Sequence, residues 1–423
     1  MTNTVNFIRN MIHGLNTPVK LDDNRETPVI YLDNAATTPP FKQVVEEIEK
    51  QLLHYGSIGR GKGQKSEHST NIYVKGRDLI KKFVGADSDD YTVIYTECTT
   101  DGLNKLASAL IESPDDIVLT TRMEHHANDL PWRERCKTVY AEVDSMGRLV
   151  LEDIFKLLEA HHGAIKYVCV TAASNVTGYV NDIYAIAELA HHYGAKIIVD
   201  GAQIVSHRSI YMLGDRPEET IDFFVFSAHK MYSPYGGGAI VGLKSVLDEH
   251  IPEFYGGGMV EVVHDDEVIY VPSPDSYEAG SPNYPGVVGM LKAIETLQFI
   301  GFGYIKRYEQ YLMRLTIKGL LKLPGVVLYG DYECTNDRVG VIPFNLQDIP
   351  PNIVAEYLAN NHAIAVRHGA FCAHPYVSRL TNEAVQGCNA PGGMIRVSFG
   401  IYNNEADINA LLSAVKEILN LES

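Results

Sequence analysis

Between about residues 91 and 245, short apolar runs alternate with helical patterns, and this alternation constrains the fold more than any other feature of the chain. Tyr91–Tyr95, Asp116–Thr120, Tyr167–Thr171, Lys196–Asp200, Phe223–Phe226 and Ala239–Gly242 read as strands. Helical patterns lie near 100–112 and 181–193, and a 124–136 region follows the second run. Strands separated by helices predict a mainly parallel sheet wrapped by helices, the α/β class. One long helical pattern covers 285–320 (Val288, Leu291, Ile294, Leu297). Beyond it the chain turns α+β, with Val339–Phe344, Ala363–Val366 and Met394–Phe399 as strands and a closing helix over 404–420. The expected organisation is an N-terminal arm (1–30) packing with the small domain, a large domain (31–290), and a connecting helix with a small C-terminal domain (291–423). In the arm, Phe7, Ile8, Met11, Ile12 and Leu15 form a helical apolar face. The acids Asp22, Asp23 and Glu26 follow closely and argue against a membrane or transit role.

Two strand ends carry the chemistry. The run Phe223–Phe226 delivers Ser227, His229 and Lys230 into a Pro/Gly loop. A lysine at the mouth of a buried strand is desolvated, which lowers its pKa and leaves a neutral amine able to form an imine. Lys196–Val199 ends on Asp200, a carboxylate that can pair with a pyridinium nitrogen. Taken alone, Lys230 reads as a solvated strand end and Asp200, before Gly201, as a turn former. Together, each at the carboxyl end of a strand, they sit where ligands of open α/β sheets bind.

Further candidates gather around this pair. Cys98-Thr99-Thr100 lies between a strand and a helix, so it is either a plain N-cap or a phosphate seat. Ser227 and His229 can add phosphate contacts. In Glu124-His125-His126-Ala-Asn128 one imidazole can stack on a flat ring, while adjacent histidines point apart and give no metal-binding spacing. Asn175 and Gln203 follow strand ends within reach of a ligand. Arg396, within Met394–Phe399, is either a solvated strand position or a fork for an α-carboxylate. Cys372 sits in a loop marked by Gly369 and Pro375, near Arg367, His368 and His374, a setting that favours thiolate; the competing reading is a cysteine that merely packs.

A formal charge of −17 gives no electrostatic support to a nucleic-acid or anionic-membrane partner. Six scattered cysteines without Cys-x-x-Cys pairs argue against zinc ribbons and disulfide frameworks and suit a reducing cytoplasm. No apolar run approaches the length of a membrane span. Gly56-Ser-Ile-Gly-Arg-Gly-Lys62 matches most of a P-loop but has Gly63 in place of the Mg²⁺-binding Ser/Thr, and a helix-like segment, 41–54, precedes it.

The ordered set of motifs resembles the class V aminotransferase-fold, pyridoxal-phosphate-dependent cysteine desulfurases, nearest their group II, selenocysteine lyase-like branch. The motifs are Tyr31-Leu-Asp-Asn-Ala-Ala-Thr-Thr38, Thr99-Thr100, Met123-Glu-His-His-Ala-Asn128 with Pro131-Trp132, and Ser174-Asn-Val-Thr-Gly178. They continue through Val199-Asp-Gly-Ala-Gln203, Phe226-Ser-Ala-His-Lys230, Glu278-Ala-Gly-Ser-Pro-Asn283 and Arg367-His-Gly-Ala-Phe-Cys-Ala373. The resemblance spans about residues 30–405. It implies fold type I of the pyridoxal-phosphate enzymes, pyridoxal 5′-phosphate as cofactor, L-cysteine as substrate, a homodimer and a sulfur-acceptor protein. By the same resemblance Lys230 carries the cofactor covalently and moves the Cα proton, Asp200 holds the pyridinium, and His125 stacks on the ring. Asn175 and Gln203 contact O3′ or the substrate. Thr99, Thr100, Ser227 and His229 bind phosphate, with Ser281 contributing across a dimer interface. Arg396 and Arg367 bind the substrate carboxylate, and Cys372 attacks its sulfur. Related activities on this fold, a cysteine, cystine or selenocysteine lyase, an aminotransferase or an epimerase, would use Lys230 without a nucleophilic cysteine. A non-catalytic, cofactor-binding regulator finds no DNA-binding module in support.

Three features depart from the family pattern. Ala370 and Phe371 replace the histidine pair before the nucleophilic cysteine. The 24 positions from Cys372 to Arg396 include an extra loop, Thr381–Gly393, with Cys388 in it. Gly56–Lys62 keeps an Arg-Gly pair but lacks the histidines that usually flank it in the family. These bear on the sulfur acceptor and the substrate, and leave the cofactor assignment as it stands.

Overall fold

The computed structural model describes residues 2–59, 61–234, 236–383 and 392–421. Cys388 and most of the 381–393 insertion lie outside the described residues. A seven-stranded sheet forms the centre, in the spatial order Tyr91–Thr96, Gly238–Leu243, Phe223–Ser227, Lys196–Asp200, Ile165–Thr171, Ile117–Thr121, Lys137–Ala141. Gly238–Leu243 runs antiparallel to both its neighbours, and the other pairings are parallel. The inner strands Lys196–Asp200 and Phe223–Ser227 are buried on both faces, so their sequences are continuous apolar runs instead of alternating ones. In register, Asp200 faces Thr171 on one side and Val225 on the other. Three carboxyl ends, those of the Thr171, Asp200 and Ser227 strands, therefore lie side by side.

A second sheet, antiparallel throughout, has the order Val326–Leu328, Val341–Leu346, Met394–Ser398, Arg367–Gly369. It packs with the helices Phe302–Leu320, Pro351–His362 and Glu405–Leu421 around a separate core that includes Phe344, Ile395 and Leu411. Ile30–Tyr31 pairs with Ile364–Ala365 in parallel. The N-terminal helix Thr2–Met11 bridges the two bodies: Val5 enters the small core while Ile8 and Met11 enter the large one. Arg9 fastens it, donating to Asp407 at 3.0 Å and to the Tyr402 carbonyl at 2.8 Å.

Several elements differ from expectation. The 285–320 pattern is two helices, Tyr284–Ile300 and Phe302–Leu320, broken where Gly301 takes φ +86°. The 124–136 region is a 3-10 turn, His126–Asn128, and one short helix, Leu130–Arg133. The edge strand Lys137–Ala141 and the helices Gln64–Phe83 and Leu151–Ala160 add to the predicted elements. Among the described residues, no helix is long and apolar enough to cross a membrane. Nor is there a group of three or more His, Cys, Asp or Glu side chains placed to hold a metal.

Candidate active site

The three strand ends open onto a cavity of about 240 Å³ whose walls include both Lys230 and Asp200. Lys230 ends a single 3-10 turn, Ala228–Lys230, that continues the strand Phe223–Ser227. The carbonyl of His229 accepts from Thr38 N at 3.0 Å and from the Thr37 and Thr38 hydroxyls at 3.1 Å, which fixes the turn. Burial draws the Lys230 ammonium down to about 8, with the Asp200 carboxylate opposing the shift. Asp200 is 3% exposed; its Oδ1 accepts from Ala202 N at 2.9 Å, and burial raises its pKa. Gln203, on the same wall, donates from Nε2 to the Ala35 carbonyl at 2.7 Å.

His125 lines the cavity as a neutral imidazole, because burial and the neighbouring Lys230 push it down to about 3. Its Nδ1 accepts from Ala127 N at 3.0 Å, so its proton resides on Nε2. Behind it stands Glu124, a residue not singled out among the sequence candidates. Its fully buried carboxyl accepts from Thr121 Oγ1 at 2.6 Å, Asn128 Nδ2 at 2.7 Å and Thr171 N at 3.1 Å. Burial lifts it to about 8, so near neutrality the acid is largely protonated. Glu124 thereby joins the ends of two strands to the turn that carries His125. Its only sequence signal was membership in the Met123–Asn128 segment.

The helix Thr99–Leu110 starts at the rim, its first-turn N–H groups giving an anion seat of the kind a phosphate needs. Thr99 N and Thr99 Oγ1 each lie 2.7 Å from Ser227 Oγ, and Thr100 lines the cavity. His229, drawn down to about 4 by burial and Lys230, lines it too.

Arg396, which also lines the cavity, is 2% exposed. Its Nη1 donates to the Asn175 carbonyl at 2.9 Å and its Nη2 to Asp33 Oδ1 at 2.8 Å, while Nε is buried with no partner. Burial lowers its pKa against the pull of Asp33. Arg367, which is largely exposed, lies 3.8 Å from Asp33 Oδ2. Cys372 is exposed and also lines the cavity. Asn175 reaches the cavity wall, yet its Nδ2 donates to the Phe371 carbonyl at 2.7 Å, a contact the sequence did not indicate. Among the predicted site residues, Ser281 alone falls outside the cavity. It lines another cleft with Glu97, Glu253 and Asn283.

The donor set meets what pyridoxal phosphate demands. It offers an anion seat at a helix start, a neutral imidazole for a flat ring, a buried carboxylate for a ring nitrogen and a low-pKa lysine for a carbonyl. The unpartnered Nε of buried Arg396 is left for an anionic group.

Comparison with known proteins finds relatives along nearly the whole chain. The family description "Aminotransferase class-V" matches residues 30–411. A probable cysteine desulfurase of Halalkalibacterium halodurans is 33% identical over 410 residues, covering 95% of each chain. A cysteine desulfurase of Haloferax volcanii is 34% identical, covering 95% of this chain and 92% of its own. Among solved structures, the apo cysteine desulfurase of Thermococcus onnurineus superposes with a TM-score of 0.83 at 30% identity, covering 93% of this chain and 95% of its own. The Escherichia coli cysteine desulfurase CsdA, in an S-sulfonic acid form, gives 0.82 at 28% identity, covering 99% and 98%.

Proposed function

Since the chain belongs to the class-V aminotransferase family, we propose that it is a pyridoxal-phosphate-dependent cysteine desulfurase. It converts L-cysteine to L-alanine and places the sulfur on Cys372 for delivery to an acceptor. One observation carries the reading: a lysine drawn to about 8, a buried aspartate, an arginine with an unpaired Nε and an exposed cysteine share one cavity. Pyridoxal phosphate, when bound, supplies the electron sink that stabilises negative charge at the substrate Cα. Thr99, Thr100, Ser227 and His229 would hold its phosphate, Asp200 its ring nitrogen, His125 its face, Gln203 and Asn175 its O3′ side, and Lys230 its carbonyl carbon.

The chain's own groups then divide the work. Arg396 and the exposed Arg367 orient the α-carboxylate, and Asn175 adds an amide donor. Lys230 Nζ takes the Cα proton, a task its lowered pKa suits near neutrality. The Cys372 thiolate attacks the substrate sulfur; an S–S bond forms, the Cβ–S bond breaks, and the electron pair stays with the substrate carbon. Two protons complete alanine: Lys230 returns to Cα the one it took, and Cβ receives the one the Cys372 thiol gave up on becoming a thiolate. Cysteine plus the enzyme thiol thus gives alanine plus an enzyme persulfide, with no external oxidant.

Ser281, outside the cavity of its own chain, would serve the phosphate of a second copy in a two-fold dimer. A fully active monomer in sedimentation refutes that assignment. The described cysteines are all free, in keeping with a cytoplasmic, reducing setting. The deciding experiment is product analysis with Cys372→Ala. A desulfurase loses persulfide and alanine formation while its visible absorbance is retained. Full-rate sulfide release with pyruvate and ammonia would instead make the protein a β-eliminating lyase.

A further inference from the structure

Asn175 and the residues before Cys372 form an arrangement that substrate binding alone does not account for. Phe371 and Cys372 occupy the two corners of a tight turn, closed by Ala373 N donating to the Ala370 carbonyl at 2.8 Å. Their φ values are +53° and +54°, a left-handed pair that L-residues with side chains adopt at a cost. A turn of this kind, without glycine or asparagine at either corner, needs outside restraint to persist.

The restraint is visible. Both corner carbonyls accept hydrogen bonds from segments that line the catalytic cavity. Asn175 Nδ2 donates to Phe371 O at 2.7 Å, and His126 N donates to Cys372 O at 2.7 Å. The Phe371 side chain is buried, with its ring 4.8 Å from the Arg396 guanidinium carbon. Asn175 also touches Arg396 directly, its main-chain carbonyl accepting from Nη1.

We propose that Asn175 is a positioning residue for Cys372: its side-chain amide clamps the nucleophile's turn and sets the sulfur relative to the carboxylate-binding Arg396. A primary amide carries two N–H groups. One goes to Phe371 O, and the second remains to meet the substrate carboxylate. A single side chain thus ties the group that recognises the substrate's head to the turn that presents the attacking sulfur. Phe371, standing where a histidine was expected, supplies the clamped carbonyl and covers the arginine. The clamp gives Asn175 a role in the ligand-free protein. The catalytic meaning of that role rests on the desulfurase reading above.

The test is hydrogen–deuterium exchange of the Ala370–Pro375 segment in the cofactor-loaded protein without cysteine. Asn175→Ala removes the clamp. Asn175→Asp, nearly isosteric, replaces the donor with an acceptor and serves where the alanine variant folds poorly; a cooperative thermal melt and full cofactor content certify each. Loss of one such bond should make Ala373 N–H exchange about three- to tenfold faster. Persulfide formation on Cys372 in a single turnover should slow even at saturating cysteine, which a purely substrate-binding amide would not produce. Phe371→Ala, which keeps the carbonyl, should retain sensitivity to the Asn175 substitution. Wild-type exchange in both Asn175 variants overturns the proposal, whatever happens to their activity. Faster exchange in a protein whose Cys372→Ala form keeps full sulfide release would leave the clamp standing and remove the desulfurase reading instead.

Discussion

The low pKa of Lys230 makes a quantitative prediction about how the protein takes up its cofactor. Burial draws the ammonium from its ordinary 10.5 to about 8, with Asp200 resisting. At about pH 7 roughly a tenth of such lysines are neutral, against about 0.03% for an exposed one, a ratio of about 300. At about pH 9 the buried amine is mostly neutral and the ratio falls to about 30. The perturbation is therefore pH, applied to cofactor-free protein mixed with pyridoxal phosphate and followed by visible absorbance. Parallel runs with Nα-acetyl-lysine cancel the cofactor's own protonation. The tenfold fall in relative rate between the two pH values does not depend on the intrinsic nucleophilicity of either amine. Asp200→Asn removes the charge that opposes the shift and should move the midpoint lower still. A midpoint near 10.5, or a relative rate flat between about pH 7 and 9, would refute the desolvation argument.

Replacing Arg396 by Lys loses the planar fork and should lower kcat/KM for cysteine about 10- to 100-fold, mostly through KM, in steady-state assays. Gly201→Ala places a Cβ against the Phe224 ring, and a Tm drop equivalent to about 1–3 kcal/mol should appear in thermal melts. Glu124, raised from 4.5 to about 8 on folding, favours the folded state fully below about pH 4.5, and that contribution is lost as pH rises to about 8. Glu124→Gln has no such titration, so the difference in denaturation free energy between wild type and variant should shift by roughly 4 kcal/mol in the variant's favour between about pH 5 and 8, the buried His125 and His229 titrating alike in both. Parallel pH curves for the two proteins would mean that the carboxyl stays ionised in the fold.

The central sheet was readable because its strands are buried on both faces, so that Lys196–Val199 and Phe223–Phe226 are unbroken apolar runs with their ligand-facing residues at the end. The edge strand Lys137–Ala141 is half-solvated and follows no such run, so nothing local announced it. Gly301 breaks an apolar period that continues on both sides of it. Periodicity reports which face is buried, and a change of axis at one positive-φ glycine leaves that report intact. Ser281 was named from a motif, and within one chain its surroundings belong to a different cleft.

The site divides along the same physical line. Lys230 and Asp200 owe their character to the strands that precede them, which is local information. Glu124 owes its neutral state to burial among three separate segments, those of Thr121, Asn128 and Thr171, whose donors only partly oppose the shift. An acid between a methionine and two histidines carries no local sign of burial. The Ala370-Phe371-Cys372 sequence looked like the plain loss of a histidine pair, because a motif is judged by the side chains it keeps. What the position also provides is a carbonyl, and a carbonyl has no letter in the sequence. Asn175 finds Phe371 O across 196 positions of chain. If that bond sets the distance from Arg396 to the sulfur, the identity of the residue before Cys372 is free to vary so long as its backbone can be held in the left-handed turn. Substitution of Phe371 by glycine, which favours that conformation, should then be better tolerated in persulfide formation than substitution by valine, whose β-branched side chain resists it. Equal rates in the two variants would remove the turn geometry from the account of how Cys372 is aimed.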